Sequence, residues 1–98
     1  MLNKKRFDQI IDLIIEKLDQ YYCICNAINY LDRVNLITIK EWDLVMNGSL
    51  RPEFRELFEQ GYQYDVHGNY SQYGPYRFSN KQQRIKFLNK LKEQYVQI

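Results

Sequence analysis

Apolar residues recur along the chain at the spacing of amphipathic helices. From Lys4 to about Asp19 they fall at i, i+3, i+4 and i+7, the pattern that lines one face of a helix. The apolar positions of this first predicted helix are Phe7, Ile10, Ile11, Ile14, Ile15 and Leu18. A second stripe predicts a helix over residues 21–33, and its inward positions are Ile24, Ala27, Ile28 and Leu31.

A capping box marks the start of a third helix. Thr38 and Glu41 stand three residues apart, where the hydroxyl and the carboxylate can each accept a hydrogen bond from a backbone N–H. The helix is expected to run from Ile39 to about Asn47 and to stop at Gly48. Its predicted inward residues are Ile39, Trp42, Val45 and Met46.

Two more helices and the segment between them complete the prediction. Pro52 is tolerated in a first helical turn and opens a short fourth helix that ends before Gly61. Residues 79–82 repeat the capping-box pattern and predict a last helix, with Ile85, Leu88 and Leu91 inward. Residues 62–78 show no helical period and are expected to form a long loop or a short β-hairpin around His67.

Length and composition agree with one small helical domain. The chain has 98 residues, of which 45% are hydrophobic and 27% charged, close to the averages for folded soluble proteins. The predicted fold is mainly α, a compact bundle of about five helices in a single domain, 1–98. Apolar runs are short and acidic residues interrupt the first helix, so we expect neither a membrane span nor an export signal. A cytoplasmic location is therefore expected, and the presence of only two cysteines favours reduced thiols.

Titratable and nucleophilic residues do not form a recognisable catalytic or metal site. Cys23 and Cys25 on one helix would point their thiols roughly 200° apart, and His67 is the only histidine, whereas a closed zinc site needs four ligands. No nucleophile elbow or phosphate-binding glycine loop is present in the sequence. We expect no catalytic residue, no metal and no cofactor. One solvated acidic face is expected on the first helix, from Asp8, Asp12, Glu16 and Asp19.

The segment 62–78 is the predicted binding region. It holds six aromatic residues interleaved with Gly, Ser, Asn and Gln, a mixture typical of binding loops, where Tyr provides contact area at low entropy cost. The expected partner-binding residues are Tyr64, Tyr70, Tyr73, Tyr76 and Arg77. The alternative is that these rings pack on the helices as part of the core, and both uses can hold for different rings.

Charge is distributed unevenly along the chain. The net charge of +2 divides into +3 in residues 1–6, −5 in residues 7–78 and +4 in residues 79–98. On the last helix, the residues expected to contact nucleic acid or an acidic protein patch are Lys81, Arg84, Lys86 and Lys90. Direct RNA or DNA binding through the basic ends is therefore one alternative function. A small-ligand sponge or minor enzyme around Tyr64, His67 and Arg77 is another.

Two segments of the chain resemble small accessory proteins carried by phages and prophages. They are residues 22–28 (YCICNAI) and residues 84–91 (RIKFLNKL). Some proteins of this kind inhibit bacterial defence, anti-CRISPR proteins among them. The resemblance implies a non-enzymatic inhibitor acting in the bacterial cytoplasm, with a CRISPR nuclease and its guide RNA as the expected partner. No membrane partner is expected, and the sequence gives no oligomeric state.

Overall fold

The structure is a computed structural model that describes residues 2–21, 23–56 and 80–96. Its complete helices are α1 (Lys4–Lys17), α2 (Ile24–Arg33), α3 (Ile39–Gly48) and α5 (Lys81–Glu93), and the helical residues 52–56 are named α4. Within the described ranges no strand occurs, and the β pairing consists of one antiparallel bridge between Leu50 and Tyr95. None of the helices in these ranges is long and apolar enough to cross a bilayer. The prediction of a mainly α fold is confirmed.

Each complete helix begins at a side chain that accepts a hydrogen bond from a backbone N–H three residues further on. These caps are Asn3, Cys23, Thr38 and Asn80. The predicted capping box of Thr38 and Glu41 is confirmed. Two predicted starts shift along the chain: α2 begins at Ile24 because Cys23 caps it, and the cap of α5 is Asn80 rather than residue 79.

The core is built around α1, which packs against both α5 and α2, while α3 packs against α2. The buried stripes of α1 and α2 lie at predicted positions, and they are Phe7, Ile10, Ile11, Ile14, Ile24, Ala27, Ile28 and Leu31. Full burial of a side chain of the size of Ile or Phe contributes about 1.5–3 kcal/mol. The hydrophobic face of α1 therefore lies at the centre of the core, between α2 and α5.

The inward faces of α3 and α5 differ from the predicted ones. The prediction that Ile39 faces inward is wrong, since 48% of its surface is exposed. It occupies the first helical position after the cap, and the buried residues of α3 are Trp42 and Val45. On α5 the buried stripe lies at residues 84, 87, 88 and 91, so Ile85 is only partly buried.

Residues near both ends of the described chain meet beside the segment that follows α3. The hydroxyl of Tyr95 donates to the carbonyl oxygen of Leu2 at 2.7 Å, and its ring packs edge-on against Phe7 with centroids 5.0 Å apart. Two backbone hydrogen bonds, of 3.0 and 2.8 Å, join residues 94–96 to residues 49–51. These contacts hold the end of α5 against α1 and against the residues after α3.

Candidate functional site

The predicted partner-binding residues lie outside the described part of the chain. They are Tyr64, Tyr70, Tyr73, Tyr76 and Arg77. His67 also lies there, and with it the predicted hairpin and the small-ligand alternative. Their roles stay predictions. The described part of the predicted site is α5, the helix that follows this segment in the sequence.

Two basic side chains of α5 form ion pairs with carboxylates on α1 or just after it. Lys81 pairs with Asp19, just beyond the end of α1, and Lys92 pairs with Asp12 on α1. Because the order of the pairs is reversed along the two segments, α5 runs antiparallel to α1. The acidic face predicted to be solvated therefore also binds α5, although Asp12 and Asp19 remain more than half exposed. Lys81 is thereby paired with the segment that follows α1, while 42% of its side chain remains exposed.

Arg84 does not belong to an exposed basic surface, so its predicted position is wrong. Only 4% of its surface is exposed, and it lies on the same helical face as Phe87 and Leu88. In a helix, residues three and four positions apart share a face. The same periodicity that places Leu88 in the core therefore places Arg84 there too, and this signal was available in the sequence.

Lys86 and Lys90 remain on the outer face of α5. Both are exposed, and Lys90 pairs with Glu93 at 2.7 Å. A shallow groove on this face is lined by Gln82, Ile85, Lys86, Asn89, Lys90 and Glu93. The groove combines one aliphatic side chain with amides and with charges of both signs. Such a lining is closer to the mixed rim of a protein interface than to a row of cations facing phosphates.

The cations at the start of α1 are also engaged within the fold. Lys4 donates to the backbone carbonyl oxygen of Lys92 at 2.6 Å. Arg6 binds Glu41 through two hydrogen bonds of 2.7 and 2.8 Å. Of the three predicted N-terminal cations, Lys5 is the one that forms no ion pair with another described residue. Lys4 and Arg6, two of the cations predicted to contact nucleic acid, therefore connect α1 to α5 and to α3.

The two cysteines are free thiols with different surroundings. Cys23 is buried and caps α2 by accepting a hydrogen bond from the backbone N–H of Asn26 at 3.4 Å. Cys25 is half-buried, and its burial, together with the nearby Cys23, raises its pKa. A raised pKa disfavours the thiolate that nucleophiles and metal ligands require. Nor does the described part of the chain hold a cluster of three or more His, Cys, Asp or Glu side chains that could bind a metal ion.

The turn between α2 and α3, residues 34–38, and the first residue of α3 carry a feature that was not predicted from the sequence; residues 34–39 are together named the α2–α3 turn. Val34, Leu36 and Ile39 are 40%, 46% and 48% exposed, and they are the exposed large hydrophobic residues of the described chain. The sequence signal for this feature was the group of aliphatic residues on both sides of Asn35, at a point where the helical pattern is interrupted. In the structure Asn35 has a left-handed φ of 64°.

Two surfaces of the described chain are therefore candidates for binding, the outer face of α5 and the α2–α3 turn. Both are carried by a small helical scaffold, and neither places a nucleophile next to a general base. Comparison with protein-family models, curated proteins and solved structures finds no match to this chain.

Proposed function

We propose that this protein is a non-enzymatic inhibitor that binds a bacterial defence effector, with a CRISPR nuclease as the first target. The resemblance of residues 22–28 and 84–91 to phage accessory proteins supports this class. In the proposed binding mode, segment 62–78 and the outer face of α5 contact the effector together. The proposed anchors are Tyr64, Tyr70, Tyr73, Tyr76 and Arg77, and the flanking charges are Lys86 and Lys90.

The internal use of basic side chains is the observation that favours a protein partner over bare nucleic acid. Lys81 pairs with Asp19 just beyond α1, Lys92 pairs with Asp12 on α1, and Arg84 is buried. Affinity for a nucleic-acid backbone grows with the number of phosphates that exposed cations neutralise. Of the predicted contact residues on α5, Lys86 and Lys90 stay exposed. Two lysines beside an aliphatic side chain and a carboxylate suit an acidic patch on a protein.

Inhibition in this proposal needs binding and no chemistry. The inhibitor covers a surface that the effector uses, such as the path of its target DNA or the seat of its guide RNA. Buried Tyr and Arg side chains dominate the binding energy of protein interfaces, and truncation of one such residue costs about 2 kcal/mol or more. Replacement of two anchor tyrosines should therefore weaken binding strongly, even if the fold is unchanged.

The test uses the purified full chain and a panel of purified CRISPR effectors loaded with guide RNA. Size-exclusion chromatography after nuclease treatment is expected to show a stoichiometric complex with an effector, and cleavage of target DNA should fall as that complex forms. The variant Tyr70→Ala/Tyr73→Ala should weaken binding at least about tenfold with an unchanged circular dichroism spectrum. Lys86→Glu/Lys90→Glu should also weaken binding, whereas Lys5→Glu on α1 serves as the matched control.

Two results would contradict the proposal. One is the absence of a nuclease-resistant complex with every effector of the panel. The other is binding to RNA or DNA alone, with an affinity that collapses between about 50 and 200 mM salt. That second result would instead support the nucleic-acid alternative.

A further inference from the structure

The α2–α3 turn exposes aliphatic side chains on a backbone that is fixed by hydrogen bonds. The N–H groups of Leu36 and Ile37 both donate to the carbonyl oxygen of Leu31, at 2.9 and 3.3 Å. Asn35 adopts the left-handed conformation that ends many helices in this way. The turn is thus a tight helix end, and the exposure of Leu36 follows from a defined backbone conformation.

Contacts from neighbouring elements hold the same turn from two sides. The carbonyl oxygen of Leu36 accepts a hydrogen bond from Nη2 of Arg6 on α1 at 3.0 Å. The N–H of Ile39 donates to Oδ1 of Asp32 on α2 at 3.3 Å. Because this backbone is already ordered in the free protein, binding loses little conformational entropy there. Apolar contacts made by Leu36 and Ile39 would therefore contribute more of their free energy to affinity.

Two cations flank the exposed aliphatic side chains in the sequence. Arg33 and Lys40 are exposed, and neither forms an ion pair with another described residue. The carboxylates of this region are engaged within the fold: Asp32 with a backbone N–H, Glu41 with a guanidinium of α1, and Asp43 with a side-chain amide one turn further on. Of these three carboxylates, Glu41 is neutralised by its ion pair, whereas Asp32 and Asp43 keep their charge. Within residues 33–40, however, Arg33 and Lys40 are the only charged side chains, so the charge directly beside the aliphatic side chains is positive.

The patch has the wrong size for a stable pair of identical chains and the wrong chemistry for nucleic acid. Three half-exposed aliphatic side chains provide on the order of a few hundred Å², the size of a functional patch on a monomer, whereas a stable interface buries about 800 Å² on each partner. A twofold contact between two copies would also bring Arg33 and Lys40 close to their own counterparts. Phosphates would pair with the cations but leave the aliphatic side chains in water.

We propose that the α2–α3 turn is a docking surface for a protein segment that combines aliphatic or aromatic side chains with carboxylates. Val34, Leu36 and Ile39 supply the apolar contact, and Arg33 and Lys40 pair with the carboxylates. None of these residues belongs to the binding surface proposed above, so this inference does not rest on the proposed function. It gives the chain a second, independent means of attachment.

The experiment uses a displayed library of random 12-residue peptides, panned against the immobilised full chain. The expected result is enrichment of peptides that contain both large apolar residues and Asp or Glu. These peptides should bind the wild-type chain at least tenfold more tightly than Leu36→Gln/Ile39→Gln. In NMR titrations with one enriched peptide, the amide signals of residues 33–40 should shift. Because both replaced side chains are about half exposed, the double variant is expected to keep the fold, which circular dichroism checks.

Matched variants on α5 separate the turn from the rest of the surface. Lys40→Gln is expected to weaken peptide binding several-fold and to reduce its salt dependence, whereas Lys86→Gln should change neither. Ile85→Gln removes an aliphatic side chain of α5 and should leave peptide binding unchanged. The single variant Leu36→Gln provides the comparison should the double variant lose its fold.

Several outcomes would overturn the inference. Enriched peptides without an acidic and apolar bias would do so, as would equal binding to the wild type and to the Leu36→Gln/Ile39→Gln variant. A dimer in analytical ultracentrifugation that disappears in this variant would show that a second copy covers the turn. Binding of a single-stranded 20-nucleotide RNA that depends on Arg33 and Lys40, with no selected peptide, would show that the cations serve phosphates.

Discussion

The guanidinium of Arg6 binds the carboxylate of Glu41 through two hydrogen bonds, from Nε at 2.7 Å and from Nη2 at 2.8 Å. Glu41 also accepts the backbone N–H of Thr38 at 3.0 Å and thereby closes the capping box of α3. Arg6 in turn donates to the carbonyl oxygen of Leu36. One ion pair thus connects α1 to the start of α3 and to the proposed docking turn.

This pair makes the stability of the fold depend on pH. The hydrogen bond from Arg6, helped by Thr38, holds the pKa of Glu41 below its usual range, against the opposing effect of burial. A carboxyl whose pKa is lowered in the folded state stabilises the fold at pH values above its unfolded pKa, and this contribution is lost as the pH falls through the folded pKa. Glu41→Gln should therefore cost about 1–2 kcal/mol at pH 7 and progressively less below about pH 4.3.

Urea unfolding of the wild type and of Glu41→Gln at pH 7 and at pH 3 measures how the cost of the substitution depends on pH. Asp43→Asn, a carboxylate replacement on the same helix, is the control and should change the unfolding free energy by less than about 0.5 kcal/mol at either pH. A cost for Glu41→Gln that is the same at pH 3 and pH 7 would show that the charge of Glu41 is not the source of the effect.

Arg84 and Lys86 test whether the basic residues of α5 act in the fold or in binding. Arg84→Ala should lower the unfolding free energy by about 1–3 kcal/mol, because it removes a buried side chain packed on the inward face of α5. Lys86→Ala should stay within about 0.5 kcal/mol, because its side chain is exposed. Denaturant titration of the two variants gives the comparison. Equal costs at the two positions would place Arg84 outside the core.

The starts of α1 and α3 and the apolar faces of α1 and α2 were predictable because they depend on local sequence. A cap needs only a polar side chain three residues before its donor, and the burial of Ile10 and Ile14 follows from helical period. The exposure of Ile39 was not predictable in this way, because the amphipathic pattern does not show which residues of α3 pack against α2. Tertiary packing decides that position.

The ion pair between α1 and α5 could not be predicted from the sequence for a related reason. Asp12 and Lys92 are 80 residues apart, and nothing local to either residue indicates the other. Their contact depends on the antiparallel packing of α1 and α5, which composition and charge sums do not contain. The exposed turn at residues 34–39 was missed because a short apolar run suits a core and a docking surface equally well. The predicted anchors of segment 62–78 stay predictions.

Tyr95 links the two ends of the described chain, and its two contacts can be separated by mutation. Tyr95→Phe removes the hydrogen bond to Leu2 and should cost about 1 kcal/mol. Tyr95→Ala also removes the ring that packs on Phe7 and should cost clearly more, by about another 1–2 kcal/mol. Amide hydrogen exchange at Val96 should become faster in Tyr95→Ala, because the neighbouring backbone pairing loosens. A Phe variant as unstable as the Ala variant would assign the whole effect to the hydroxyl.

Cys23 caps α2 with a thiol, which is a weak hydrogen-bond acceptor. Ser and Ala are close to Cys in size, so replacing Cys23 by each of them should separate the effect of capping from that of packing. Ser keeps an acceptor for the N–H of Asn26, whereas Ala has none, and loss of an N-cap costs about 1 kcal/mol. Cys23→Ser should therefore be more stable than Cys23→Ala by about 1 kcal/mol in urea unfolding. Cys25 lies inside α2 and caps nothing, so Cys25→Ser should not exceed Cys25→Ala in stability, because Ala is the better helix former. If the difference in unfolding free energy between the Ser and Ala variants is no larger at residue 23 than at residue 25, Cys23 does not stabilise α2 as its cap.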